Sequence, residues 1–356
     1  MPVSTVGRGQ RETIFAPRIK ALLDEHLGAD LFRLEPDTIG VAGAGLMDAV
    51  MRARPAGPAE RPTFKPVRGK LIDRAEAATY MRAVGADVRT ALKAAVDARS
   101  SADALTGLWP AAPHNYLRDL VFGSERFRFR VLVDRRLELT PKLTWSAVVA
   151  GSAILGRPGR ERAEQEPSNL AALVFQADSY AERRHAMYLY RRVAAPVCFT
   201  VAALVTNAVW LGAPFDEETP NRNILLEALR LLPPSWNILR NASPEFPDVD
   251  GRIGAADDLL LLPLLSHRDP ALWEAAGEFR PERWDSLDPD DHPGYLPFGH
   301  ADERCWGRHM VMPLAETLLD LVRREHLTVD PGQTRGRVEL DGLLEIAEMR
   351  VVRRRK

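Results

Sequence analysis

Two cysteines in 356 residues are too few for a disulfide framework, and that scarcity suits a reducing compartment. An excess of one charge sign is missing as well: 48 Lys and Arg stand against 49 Asp and Glu, for a formal net charge of -1. Such a balance excludes a global pull toward nucleic acid or anionic membrane. The opening residues, MPVSTVGRGQRET, contain no apolar core, so neither a signal peptide nor a membrane anchor is expected there. No apolar run is long and clean. The nearest, Val193 to Gly212, is interrupted by Pro196, Thr200, Thr206 and Asn207, and reads as a buried helix rather than a membrane span. There is no internal repeat and no low-complexity tract. With 46% apolar and 27% charged residues, the chain reads as a soluble, cytoplasmic globular protein, expected to be a single domain over residues 1–356.

What is present is mostly helical pattern. PRIKALLDEHLG, Pro17 to Gly28, has proline at its start and glycine after its end, which predicts a short helix. LFRLEPDTIGVAG predicts two short strands around a Glu-Pro-Asp turn. The glycines of GVAGAGLMD lack the third member of a phosphate-binding GxGxxG and fit a tight strand-to-helix turn. Residues 53–69, rich in Pro and Arg, predict a loop. Helices are expected over 73–98, 116–122, 145–155, 172–211 (broken) and 224–232. A charged surface loop is expected over 156–169, and short strands over 239–265 and after Leu327. No strand-helix-strand series appears, so the expected class is mainly α with small peripheral β-sheets.

Three signals near the C-terminus carry the chemistry. In ILLEALRLLPP, Glu227 and Arg230 lie three residues apart on one helical face, among Leu and Ile. A charged pair in so apolar a setting survives only if paired and hydrogen-bonded. FRPERW, Phe279 to Trp284, follows SHRDP, Ser266 to Pro270. Then comes LPFGHADERCWGRHM, Leu296 to Met310, ahead of a long amphipathic helix. By itself Cys305 fits a small buried hydrophobe, a zinc ligand beside His300 and His309, or a nucleophile without an evident base.

In that order, ExxR, then a PERF-like segment, then FGxxxxxCxG opening a helix, the three resemble the cytochromes P450. The likeness covers roughly the last 130 residues, with soluble bacterial members nearest in style. It implies the cytochrome P450 fold and haem b (iron protoporphyrin IX), with the Cys305 thiolate as axial ligand. A thiolate pushes electron density onto iron and favours O–O cleavage. By the same resemblance Phe298 packs beneath the macrocycle, while Gly299 and Gly307 belong to the cysteine loop. Arg240 meets a haem propionate in a bidentate fork. Glu227, Arg230 and Arg283 form a buried network that fixes the loop.

The sequence departs from the family in four places. Ala301 replaces a glycine of the cysteine loop. Glu303 stands where a basic residue normally meets a propionate, a contact that Arg304 could restore from the next position. In the helix that handles oxygen, APVCFT (Ala195 to Thr200) replaces an acid-alcohol pair. Cys198 takes the acid's place and Phe199 the alcohol's, Thr200 serves after a one-residue slip, and Pro196 kinks the helix. The chain is also short between Ala53 and Lys70, a truncation in the B'–C region. No propionate clamp appears there unless Arg61, Lys65 or Arg68 supplies it.

The function implied is a haem-thiolate oxidation of a small organic molecule, in the tailoring of a bacterial secondary metabolite. Electrons would come from a ferredoxin and its reductase, docked near Arg304 and Arg308. Loss of the acid-alcohol pair leaves room for non-oxygenase chemistry (dehydration, isomerisation, peroxide-driven or nitrogen-centred). Altered propionate contacts leave room for a haem-free accessory protein of the same fold.

Overall fold

The computed structural model describes residues 11–53, 72–94, 98–122, 170–176, 179–299, 304–333, 337–340 and 344–354. Over these residues the chain is mainly helical, with three small sheets, as the sequence pattern predicts. Helix α1, Pro17–His26, begins on its proline and ends just before Gly28, whose φ of 81° is a left-handed conformation that glycine adopts without cost. Strands β2 (Leu31–Glu35) and β3 (Thr38–Val41) pair antiparallel across the Pro36–Asp37 turn. The glycine-rich stretch after β3 leads straight into α2, Ala44–Ala53, the strand-to-helix turn expected of it.

Next come α3 (Arg74–Lys93), α4 (Ala98–Leu105), β4 (Gly107–Trp109) and α5 (Ala111–Phe122). The Asp73 carboxylate caps α3 by accepting the Ala75 amide at 2.7 Å. Helix α5 starts five residues before the expected Tyr116. Pro113 sits in its first turn, where no backbone donor is needed, so the helix can begin ahead of it. The expected loop over 54–69, the helix over 145–155 and the charged loop over 156–169 lie outside the described residues.

The helix expected over 172–211 is two helices, α6 (Leu170–Phe175) and α7 (Tyr180–Gly212). The break falls before Ser179, which opens α7 with a capping box. The Ser179 hydroxyl accepts the Glu182 amide at 3.1 Å, and the Glu182 carboxylate accepts the Ser179 amide at 3.0 Å. It does not fall at Pro196, through which α7 continues. Helix α7 packs against α3, α5 and α6, and also against α8 (Asn221–Leu231) and α9 (Arg308–Arg324), which makes it the central rod. Its segment Arg184–Gly212 is long and apolar enough to cross a membrane, yet 83% of its most apolar window is buried within the protein.

Distant parts of the chain meet in the sheets. Strand β6 (Asp258–Leu261) pairs parallel to β3 and antiparallel to β5 (Ile238–Arg240), giving the order β2-β3-β6-β5. Strand β9 (Met349–Arg353) lies between β4 and β7 (Leu327–Val329), and β1 (Glu12–Ile14) pairs parallel to β8 (Arg337–Glu339).

Just ahead of β1, Arg11 reaches the C-terminal end of α7. Its guanidinium donates to the Val209 carbonyl at 3.1 Å and to the Ala213 carbonyl, and lies 5.9 Å from the centre of the Trp210 ring. A cation there answers both the orphan carbonyls and the negative end of the helix dipole. Arg11→Ala is expected to lower stability by about 1–2 kcal/mol, read as an earlier urea midpoint with an unchanged slope.

Candidate functional site

In helix α8 all residues from Asn223 to Leu231 are buried. A carboxylate in its middle must therefore be fully answered by other groups, and Glu227 is. One oxygen accepts Arg230 Nη2 at 2.8 Å, Arg283 Nε at 3.1 Å and the Arg280 backbone amide at 3.0 Å. The other accepts Arg230 Nε at 3.0 Å and Trp284 Nε1 at 3.0 Å. Two guanidinium groups thus share one carboxylate, with Glu227 and Arg230 wholly buried and Arg283 nearly so. The surplus positive charge is spread onto carbonyls. Arg230 donates to His267 and Ala276 at 2.7 Å and to Glu278 at 2.9 Å, while Arg283 donates to Glu274 at 3.0 Å. The Trp273 ring lies 5.1 Å from the Arg230 guanidinium and 5.8 Å from that of Arg283, a favourable seat for both cations.

The network continues toward the cysteine. His267 is buried between α8 and the loop: Nδ1 lies 3.2 Å from the Arg230 carbonyl, and Nε2 accepts the Leu296 amide at 2.7 Å. An amide can only donate, so Nε2 carries no proton and Nδ1–H donates to the carbonyl. Burial, reinforced by the Arg230 charge, pushes the His267 pKa down to about 3, so the ring is neutral. The Tyr295 hydroxyl donates to the Leu226 carbonyl at 2.9 Å, and the Ser266 hydroxyl donates to the Gly294 carbonyl at 3.0 Å.

From Leu296 the chain turns. The Gly299 amide donates to the Leu296 carbonyl at 3.2 Å, and Gly299 has a φ of 79°, a conformation that strains any residue with a Cβ. The Cys305 amide then donates to the Phe298 carbonyl at 2.7 Å, closing the loop at its base. Cys305 is exposed, Phe298 and Gly307 are half-buried, and α9 begins at Arg308. A Cβ on Gly307 would lie 3.7 Å from the Cys305 sulfur, in contact with it and without a clash. Arg304 is held by Asp290 at 2.6 Å. Arg240 ends β5 almost fully buried, with Nη1 donating to the Leu239 carbonyl at 3.1 Å. Ala301, Glu303 and His300 lie outside the described residues, as do Arg61, Lys65 and Arg68. Among the described residues no cluster of three or more His, Cys, Asp and Glu is placed to hold a metal ion, and His300, which the zinc alternative needs beside Cys305 and His309, lies outside them.

On α7 the three candidate residues divide. An α-helix turns about 100° per residue, so positions two apart lie on nearly opposite faces. Cys198 is fully buried, and burial pushes its thiol pKa up despite the Arg118 charge on α5. Phe199 is half-buried, its ring 4.6 Å from the His114 ring on α5. Thr200 and Pro196, one turn apart, are on the open side, where the Thr200 hydroxyl donates to the Pro196 carbonyl at 2.7 Å.

A family model described as Cytochrome P450 matches residues 222–336, a span that includes α8, the Arg283 segment and the cysteine loop. Over this span the chain resembles the cytochrome P450 family. Among its curated relatives, cyclooctatin synthase of Streptomyces melanosporofaciens is 37% identical over 89 residues, 24% of this chain and 19% of that protein. Cyclooctat-9-en-7-ol 5-monooxygenase of the same organism is 33% identical over 132 residues, 34% of this chain and 28% of that protein. The matches therefore span less than a third of the relatives' length. Among solved structures, the hydroxylase HmtN aligns over 96% of this chain and 97% of its own, with a TM-score of 0.59 at 15% identity. Cytochrome P450EX alpha with myristic acid aligns over 94% and 97%, with a TM-score of 0.59 at 13% identity. At such identities the likeness shows the cytochrome P450 fold.

The likeness implies haem, and the described side chains fit it. Of the two thiols, only that of Cys305 is reachable, and backbone hydrogen bonds on both sides of its loop present it at the head of α9. Sequence order pointed to Glu227, Arg230, Arg283 and Cys305. It did not point to His267 or Trp284 as members of the network. The signal available for His267 was its place at the end of LLLLPLLSH, an apolar run that forces the last side chain inward.

Proposed function

We propose that this chain is a haem-thiolate oxidoreductase, folded as one domain over residues 1–356, that oxidises a small organic molecule in secondary metabolism. The observation that carries the reading is the continuous hydrogen-bonded path from buried Glu227, through Arg230 and His267, to the backbone that presents the exposed Cys305 thiol. So much buried polar structure around one reachable sulfur is what a ligand loop of fixed geometry requires. The names of the curated relatives and of the hydroxylase HmtN support the substrate class.

In this reading Cys305 holds iron, with Phe298, Gly299 and Gly307 shaping the loop around the sulfur. Arg240 takes a propionate, and Arg304 takes another by sharing its fork with Asp290. Bound haem would supply the oxidising chemistry. The chain's own residues would hold it, exclude water from its thiolate side and place a hydroxyl above it. Thr200 is the α7 side chain suited to that last task, since it lies on the open side while Cys198 faces α5. Arg308, exposed at the head of α9, suits the approach of an acidic electron donor such as a ferredoxin. A cytoplasmic location accords with the reading.

One observation favours a second reading. From Arg183 to Gly212, α7 carries no Asp or Glu, so no carboxylate of this stretch can pass protons to a distal ligand. Peroxide-driven or non-oxygenase turnover needs no such relay.

The deciding experiment is the absorption spectrum of the purified, reduced protein with and without carbon monoxide. A red-shifted Soret band of the thiolate type is expected, and Cys305→Ala should abolish it. Protein purified from haem-replete cells with no Soret band would be the accessory protein of the same fold instead. Where the band is present, product formation with a ferredoxin pair or with peroxide alone separates the first reading from the second.

A further inference from the structure

We infer that His267 is a positioning residue for the cysteine ligand, tying the loop that carries Cys305 to the Glu227–Arg230 helix through its two ring nitrogens. The inference rests on the haem-thiolate reading for its consequence, while the tie itself is a matter of hydrogen bonds. Leu296 is the last residue with a backbone amide before Pro297, which has none, and both of its backbone groups are used. Its amide donates to His267 Nε2 at 2.7 Å, and its carbonyl accepts Gly299 at 3.2 Å. The residue between, Phe298, offers the carbonyl that receives the Cys305 amide at 2.7 Å. Three hydrogen bonds in series therefore lead from the imidazole to the ligand residue. On the other side Nδ1–H meets the Arg230 carbonyl at 3.2 Å, on the residue whose guanidinium holds Glu227.

Other bonds fasten the neighbourhood, but at other points. Ser266 holds Gly294, and Tyr295 reaches back to Leu226, both before the turn begins. Only the imidazole, among the described residues, holds the side of Leu296 that sets where the turn starts. Its ring is seated by packing, 5.3 Å from the Tyr295 ring, and no water is needed to complete its bonds. A buried amide that loses its acceptor costs about 1–3 kcal/mol, roughly 5- to 150-fold in a local opening equilibrium. The turn would open by that factor before the rest of the fold did.

Two amide side chains separate the two nitrogens' roles. In His267→Gln the side-chain oxygen reaches the place of Nε2 and can accept the Leu296 amide. In His267→Asn the amide reaches only the place of Nδ1 and keeps the Arg230 side. The haem-loaded protein is compared with both variants, with His267→Ala, and with Ser266→Ala as a neighbouring control. Amide hydrogen exchange is read at Leu296 and Cys305, alongside the share of thiolate-type band retained by the carbon monoxide complex on mild warming. The expected order at both amides is wild type and Gln alike, with Asn and Ala exchanging faster by roughly 5- to 150-fold. Ser266→Ala should leave Leu296 protected, and the thiolate share should follow the exchange order. Gln losing Leu296 protection, or Asn keeping it, overturns the inference. Should Asn and Ala fail to accumulate, Gln alone decides it. Absence of any thiolate-type band in the wild type sinks the haem reading, while the exchange order still tests the tie.

Discussion

Glu227→Ala is expected to be the most damaging single substitution in the described part of the chain, with little or no folded protein recovered. The carboxylate is the sole anion among the groups bonded to two buried guanidinium groups, and it also accepts Trp284 and the Arg280 amide. Alanine leaves Arg230 and Arg283 facing each other without compensation and deprives an indole and a backbone amide of their acceptor. Removing one partner of a buried pair costs about 3–5 kcal/mol, against a total stability of about 5–15 kcal/mol for an ordinary domain. Glu227→Gln keeps an oxygen for some donors but loses the charge, so its loss should fall between wild type and alanine. Replacing Arg230 by Met together with Glu227→Ala removes the stranded cation as well, and should recover part of the loss. Soluble yield and urea midpoints measure all three. A Glu227→Ala protein within about 1 kcal/mol of wild type would mean that the network is decoration.

That network was legible in the sequence only in outline. Glu227 and Arg230 announce themselves by spacing and by apolar neighbours, and Arg283 and Cys305 by their order after them. These are local signals, and the helices that carry them, α8 and α9, sit close to where periodicity places them. His267 gives no comparable signal because its partners are backbone groups 37 and 29 residues away. A pattern of side chains cannot reveal a histidine whose task is to join two stretches of main chain. The same limit applies at α7. APVCFT suggested Cys198, Phe199 and Thr200 as one group, but the helical turn sends Cys198 toward α5 and leaves Thr200 on the open side. Helix α7 runs on through Pro196, and the break in the 172–211 span lies before Ser179 with its capping box. The hairpin of β2 and β3 followed directly from its Pro-Asp turn. Its joining to β6, some 220 residues on, has no local cause and had to be seen.

Acid should loosen this protein earlier than its carboxylates alone require, and His267 supplies the reason. In the folded chain burial removes water from the imidazolium and the Arg230 guanidinium repels it, with smaller contributions from Arg268 and His292 and opposition from the Arg230 carbonyl, and together these bring the pKa to about 3. In the unfolded chain the ring returns to its ordinary value of 6.5. Above that value both states hold a neutral ring and the group contributes nothing to the pH dependence. Between 6.5 and about 3 the unfolded state binds a proton that the folded state refuses, so stability falls as pH falls. The slope approaches ~1.4 kcal/mol per pH unit for one proton, and accumulates to several kcal/mol over the window. His292, also lowered by burial, acts in the same direction. Urea midpoints of wild type and His267→Gln, taken at half-unit steps from pH 7.5 to pH 4.5, isolate the contribution of one ring. Whatever the variant loses at neutral pH, its curve should fall less steeply below pH 6.5, so that the gap to wild type narrows or reverses toward pH 4.5. Parallel curves over that range would mean that the ring is protonated in the fold, and that Leu296 is held by something other than its Nε2.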